Sequence, residues 1–316
     1  MIIDWHSHWL PADMADSVAR YRDLPVAREF SDTDARLRFM DAAGVSRQVI
    51  SWPTTFGLDA KMPVASTASL YRDYNDRLAE LHLRWPDRFS ALAAVPCADP
   101  EVAARELSRA MSMPGFIGAV VPADAFLTPE ISALFTPLLS EAQRLRCHIY
   151  VHPGPTGLAG GEPIAFLRCD TSEARWLLEA GARLAASAVT LECSGVLDPY
   201  PDVTVHVAML GGHLGWIAET LVERASKRAE QLKGVSPLRR IYVDTGIVKP
   251  GGGALALAVS VFGSDRILFG SDFPQFSTLQ PAVAFAAAGL PAEVQSKILF
   301  ENGNLLIRRE GKPALP

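Results

Sequence analysis

Eight short apolar runs, separated by turns and helical patterns, constrain this chain more than any other feature of its sequence. They are Ile2–His6, Gln48–Trp52, Ala91–Val95, Phe116–Val121, His148–His152, Thr204–Met209, Ile241–Thr245 and Ile267–Gly270. Each is rich in apolar or β-branched residues and bounded by Gly, Pro or Asp, as short strands are. The segments between them carry helix signals. Asp32–Ala43 ends at Gly44, which is free to take the left-handed backbone that closes a helix. Asp99 caps a helix that Pro100 opens and Met111 ends. Further helical patterns run from Pro129 to Leu145 and from Leu214 to Leu232, the second ending near Gly234. Strands that are apolar on both faces and separated by helices pair in parallel, and eight such units close into a (β/α)₈ (TIM) barrel. The segments Thr54–Ser69 and Pro153–Cys169 read as long βα loops, where a barrel makes its substrate pocket.

A length of 316 residues is normal for one such barrel, so 1–316 is read as a single domain. Hydrophobic residues make up 49% and charged residues 21%, enough for a large core. A net charge of −5 leaves no excess of Lys and Arg to neutralise phosphates, which argues against a nucleic-acid partner. Arg168 and the run Arg224, Lys227, Arg228 read as solvated helix surface. Cys97, Cys147, Cys169 and Cys193 form no C-x-x-C pair and read as small buried hydrophobes of a reducing compartment. Asp4, His6 and His8 interrupt the apolar start, against a signal peptide, and Ala254–Phe262 is too short to span a bilayer. A cytoplasmic protein with no membrane partner is expected.

Three strand ends carry chemistry. In Asp4-Trp5-His6-Ser7-His8, the two histidines stand two apart, so on a regular strand they project from one face. Converging imidazoles repel when protonated and gain most from a shared divalent cation. His152 ends the fifth run, where Pro153-Gly154 stops the ladder. His148, about 13 Å away at the strand rise, reads as structural. Asp272 follows the eighth run in Gly270-Ser271-Asp272-Phe273-Pro274; alone it could equally cap a turn. At the common mouth of a closed barrel, His6, His8, His152 and Asp272 form a set that suits one Zn²⁺, with Mn²⁺ or Fe²⁺ as alternatives.

The chain resembles the amidohydrolase superfamily, in the amidohydrolase-2 branch that includes aminocarboxymuconate-semialdehyde decarboxylase and the resorcylate decarboxylases. The marks are Asp4-Trp5-His6-Ser7-His8, Trp85-Pro86-Asp87-Arg88-Phe89 leading to Ala94-Val95-Pro96, Gly115-Phe116-Ile117-Gly118, His152-Pro153-Gly154, Ser194-Gly195-Val196, Leu210-Gly211-Gly212, Gly270-Ser271-Asp272-Phe273-Pro274 and Glu301-Asn302. The resemblance implies that His6, His8, His152 and Asp272 hold one divalent metal, usually zinc or manganese. Members are often dimers, which implies a homodimer as one assembly. The branch usually carries a histidine before the Leu-Gly-Gly turn, acting near the metal-bound water as acid or base. Here the matching position is Met209, whose thioether cannot carry a proton.

That departure shapes the functional expectation. His206 lies three residues earlier with opposite strand parity and should point away from Met209's face. His213 follows the glycine turn and is either a catalytic group folded over the mouth or an exposed loop residue. Asp272 can itself shuttle the proton, so the first expectation is a metal-dependent hydrolase of a small cyclic or carboxylated compound, using metal-activated water. The alternative is a non-oxidative decarboxylase of an aromatic or muconate-like acid. A third reading is a catalytically impaired barrel with a binding role. Trp5, Trp52 and Met209 are pocket candidates for the small-molecule substrate, with Trp5 and Trp52 equally explained as core. Lys249-Pro250-Gly251-Gly252-Gly253 reads as a connector before a helix, and Asp244 as a carboxylate that could orient a ligand histidine.

Overall fold

All eight runs become strands of one sheet, in the order of the chain, and every neighbouring pair is parallel. They are β1 (Ile2–His8), β2 (Val45–Ser51), β3 (Phe89–Ala94), β4 (Phe116–Pro122), β5 (His148–His152), β6 (Thr204–Val207), β7 (Tyr242–Asp244) and β8 (Ile267–Leu268). The structure, a computed structural model, describes residues 1–22, 26–158, 172–221, 238, 240–246, 252–275 and 285–309. Because β8 is only two residues long, the seam back to β1 is made by the chain just beyond it. Trp5 N donates to Phe269 O at 2.8 Å, Asp272 N to His6 O at 2.7 Å and His8 N to Phe273 O at 2.8 Å. The expected (β/α)₈ barrel is thus observed, with Asp272 built into its closing seam.

The expected caps at Gly44 and Asp99 form. Gly44 closes the helix Thr33–Ala43 at φ 70°, while Asp32, read as the helix's first residue, stands just outside it and accepts from Ala35 N. Asp99 accepts from Glu101 N and Val102 N at the head of Pro100–Met111. On the last strand, Asn302 Nδ2 donates to Ser264 O and Ile267 O, docking the helix Asn302–Arg309 against the start of β8.

Several expectations change. The sixth strand ends at Val207 rather than Met209, because Met209 and Leu210 both take positive φ, near 55°, and leave the extended path. The span 54–69 is no open loop: it holds a 3₁₀ turn, the helix Leu58–Lys61 and the start of the helix Val64–Arg84. The helical stretch 129–145 breaks at Phe135, where Pro137, lacking an N–H, fits only the first turn of a new helix. Cys97 and Cys147 are buried, but Cys193 is exposed at a helix end. Residues 159–171, 222–237 and 247–251 lie outside the described residues, and with them Cys169, Arg168, the Arg224 run, Lys249 and the end of the 214–232 pattern. Among the described residues, no helix is long and apolar enough to cross a membrane.

Candidate metal centre

The barrel mouth gathers side chains from the ends of β1 and β5 and from the seam beyond β8. One ligand-capable atom each from His6, His8 and His152 lie within 4.8 Å of one another, and all three residues are buried. Asp272 closes the set, its Oδ1 3.4 Å from His6 Nε2 and 3.6 Å from His8 Nε2. Asp272 is 13% exposed against 1% and 2% for those two histidines, so it is the member nearest to solvent. Its φ of 56° is left-handed, a conformation that aspartate tolerates better than most residues and that turns the carboxylate back over β1.

The histidines are oriented by their second nitrogens. His6 Nδ1 lies 3.0 Å from Asp244 Oδ1, and His8 Nδ1 lies 3.2 Å from the carbonyl of Ser51. Thr54 donates its hydroxyl to Pro153 O at 2.8 Å, which leaves a lone pair to accept from His152 Nδ1 at 2.7 Å. Each Nδ1 therefore carries a proton, which leaves Nε2 as the nitrogen that binds a cation, on His6 after giving up a second proton. His6 Nε2 is buried without a hydrogen-bond partner, an atom whose burial a cation would offset.

The electrostatics agree. Burial opposes a charge on His6, yet the carboxylates of Asp244 and Asp272 outweigh it and push its pKa up to about 10. Burial drives His8 and His152 well below their ordinary value, and the neighbouring histidines add to it. Asp244 stays ionised despite burial because His6 and His206 hold its pKa well below the usual carboxylate range. The two carboxylates thus demand positive charge here; a proton on His6 meets part of that demand, and a divalent cation would meet all of it.

Asp244 also accepts from Gly246 N at 2.7 Å and Met209 N at 3.3 Å. Gly246 packs so closely that a Cβ there would fall 2.1 Å from His6 Nδ1, and one at Gly270 would fall 2.6 Å from His6 Cβ. Both positions need glycine because the His6 side chain, its ring at Gly246 and its Cβ at Gly270, occupies the space a side chain would take.

The remaining candidates spread out. Trp5, 1% exposed, lies deeper in the barrel with its ring 5.0 Å from His148 and 5.9 Å from His206. Trp5 and His6 both reach the barrel interior because β1 spends three steps, Asp4 to Ser7, where β2 spends two, Gln48 to Ile50. Trp52 is core, packed on Phe56, Tyr71 and Tyr74. Met209 is buried in its left-handed turn, and His213 is exposed before the helix 214–221, its ring against Gly181. His206 contradicts the parity argument: it is fully buried, and its Nε2 lies 3.4 Å from Asp244 Oδ2. Thr54, Ser51 and Gly246 escaped the sequence reading; the only signal was a glycine two places beyond Asp244 at a strand end.

Beside His152 a cleft of about 210 Å³ is lined by Thr55, Pro153, Gly154 and Trp176, and by Arg183, whose guanidinium lies 2.7 Å from Asp124.

Comparison with known proteins now bears on this arrangement. The amidohydrolase family profile matches residues 3–303. The chain belongs to the amidohydrolase family. This amidohydrolase is 30% identical over 298 residues to a gamma-resorcylate decarboxylase of Polaromonas sp. strain JS666, covering 87% of each chain. It is 25% identical over 254 residues to a 2-amino-3-carboxymuconate-6-semialdehyde decarboxylase of Dictyostelium discoideum, covering 77% of this chain and 67% of that one. The solved dihydroxybenzoic acid decarboxylase of Polaromonas sp. JS666, with bound manganese and the inhibitor 2-nitroresorcinol, superposes with a TM-score of 0.72 at 24% identity. That superposition covers 97% of this chain and 96% of the other. The amidohydrolase is an enzyme of the hydrolase-or-decarboxylase class. Of the two reactions set out from its sequence, these relatives favour decarboxylation over the hydrolysis placed first.

Proposed function

We propose that this amidohydrolase is a non-oxidative decarboxylase of a hydroxylated aromatic carboxylic acid, and that His6, His8, His152 and Asp272 hold the divalent cation it needs. The observation that carries the reading is a set of three imidazoles and one carboxylate converging at the barrel mouth, in a chain whose relatives are named for decarboxylating aromatic acids. The three-imidazole set fits zinc, while the solved relative carries manganese, so elemental analysis of the purified protein decides the metal. When bound, such a cation grips substrate oxygens and stabilises negative charge that develops as CO₂ leaves.

The chain's own residues supply the rest. Asp244, Ser51 and Thr54 keep the three histidines in one tautomer. Replacing a carboxylate by hydrogen requires a proton at the ring carbon, and Asp272, at the solvent-facing side of the set, is the group placed to carry it. His213, exposed and turned onto Gly181, is assigned no catalytic role.

The test incubates metal-reconstituted protein with 2,6-dihydroxybenzoate and related hydroxybenzoates under nitrogen, without nicotinamide. Release of CO₂ with the matching phenol is expected. Absence of CO₂ across the panel, with turnover of esters or lactones instead, overturns the reading in favour of hydrolysis. That second reading is favoured by Met209, which leaves no histidine at the end of the sixth strand to protonate carbon.

A further inference from the structure

Below the centre, the barrel interior departs from the branched apolar filling usual for this fold. Two imidazoles, His148 and His206, lie there fully buried and run on from Asp244 toward the start of β5 and β6. His206 Nε2 lies 3.4 Å from Asp244 Oδ2, an ion-pair contact, and neither atom has a hydrogen-bond partner. His206 Nδ1 lies 2.5 Å from His148 Nε2, and His148 Nδ1 lies 2.7 Å from Thr204 Oγ1. Neighbouring rings pack against them: Tyr150 stacks on His206 at 4.0 Å and 9°, and Trp5 lies edge-to-face with both histidines.

Proton counting gives this column one direction. Asp244 is ionised and can only accept, so His206 must donate from Nε2. A neutral His206 then has a lone pair on Nδ1, which His148 must meet with an Nε2 proton. His148 in turn presents a lone pair on Nδ1, and Thr204 donates its hydroxyl there. The reverse order would aim a nitrogen lone pair at a carboxylate oxygen, two acceptors with nothing between them. Burial, which pushes both histidines below their ordinary values, supports the neutral forms the counting uses.

We infer that the column Thr204–His148–His206–Asp244 is a positioning relay for His6, a one-directional chain of two hydrogen bonds and a closing ion-pair contact that keeps Asp244 turned to His6 Nδ1 and so keeps His6 Nε2 facing the mouth. The inference rests on His6 being a metal ligand, as proposed above. His206 and His148 touch neither substrate nor reacting atoms; they act through Asp244.

Two measurements test it. In the metal-free native protein, two-bond ¹H–¹⁵N correlation of ¹⁵N-labelled histidine reads each tautomer directly. His148 and His206 should both appear as neutral Nε2–H rings at pH 7; an Nδ1–H or doubly protonated form of either overturns the relay. Separately, Mn²⁺ affinity is titrated for the native protein, His206→Phe and His206→Gln. Phenylalanine keeps the ring volume without the donor and should weaken Mn²⁺ binding about 10–100-fold. Glutamine can donate its amide N–H to Asp244 and accept from His148, and should recover most of that loss. Native-like affinity in His206→Phe, or equal losses in both variants, overturns the inference. A native protein that binds neither Mn²⁺ nor Zn²⁺ sinks the ligand assignment instead, while the tautomer spectrum still decides the relay by itself.

Discussion

Gly246 stands where the centre is least tolerant of change, with a virtual Cβ 2.1 Å from His6 Nδ1 and 2.8 Å from Asp244 Oδ1. Gly246→Ala must push the imidazole or the carboxylate aside. Overpacking of this kind costs about 1–3 kcal/mol, and the displaced His6 should lower Zn²⁺ affinity more than tenfold, read by calorimetric titration beside a melting curve. Unchanged affinity would mean that the backbone absorbs the methyl group. Met209 offers the opposite experiment, a gain. Met209→His places a proton carrier at the left-handed turn whose backbone N–H already contacts Asp244, and histidine accepts that backbone readily. Metal content should stay the same, while the pH–rate profile gains an ionisation and the rate rises by up to about 10²-fold. A profile superimposable on the native one would place Met209 away from the reacting carbon. Both residues also show what one sequence reveals. Met209 stood out against a family pattern, whereas Gly246 is an ordinary strand-end glycine until the ring that fills its space is seen.

The connection from β2 to Val64–Arg84 carries the clearest effect of an element on stability. Asp59, in the helix Leu58–Lys61, is 5% exposed and accepts from Tyr71 at 2.9 Å. Burial outweighs that hydrogen bond and pushes its pKa up to about 7. The folded protein therefore binds this proton more tightly than the unfolded chain. The group's contribution is full below the ordinary carboxylate value of about 4 and is lost as pH rises through about 7. Asp59→Asn, which cannot ionise, should melt at least about 2 °C above the native protein at pH 8, a gap that closes toward pH 4. A gap of equal size at both values would show that the folded and unfolded chains hold the proton alike. The sequence offered little warning of this helix, because Pro53, Gly57 and Pro63 punctuate the span like loop residues. Strand parity failed in a related way at His206. The alternation rule assumed a strand that reached Met209, but β6 stops at Val207, so the count ran across a turn.

Across the whole molecule, the eight-unit rhythm made the barrel legible, because strand and helix periods differ and Asp32, Gly44, Asp99 and Pro100 mark their boundaries chemically. The convergence of His6, His8, His152 and Asp272 was legible for the same reason, since strand-end residues of a barrel collect at one mouth. Of its supports only Asp244 could be read from the sequence, as a carboxylate orienting a histidine; Thr54 and Ser51 meet the histidines only through tertiary packing. A cation bound by the folded chain alone should also stabilise it globally. Chelation of protein saturated at 100 times its Kd should remove about 2.7 kcal/mol, a loss read as a lower melting temperature and restored by added metal. An unchanged melting temperature would leave the cluster without a cation under those conditions. The seam bonds Asp272 N to His6 O and His8 N to Phe273 O add a consequence in time. A ribosome releases this chain from its first residue onward, so His6, His8 and His152 emerge long before residue 272 and wait as three unsupported bases. The carboxylate arrives together with the stretch that closes the cylinder, so a nascent chain completes the proposed cation site in the same event that completes its architecture.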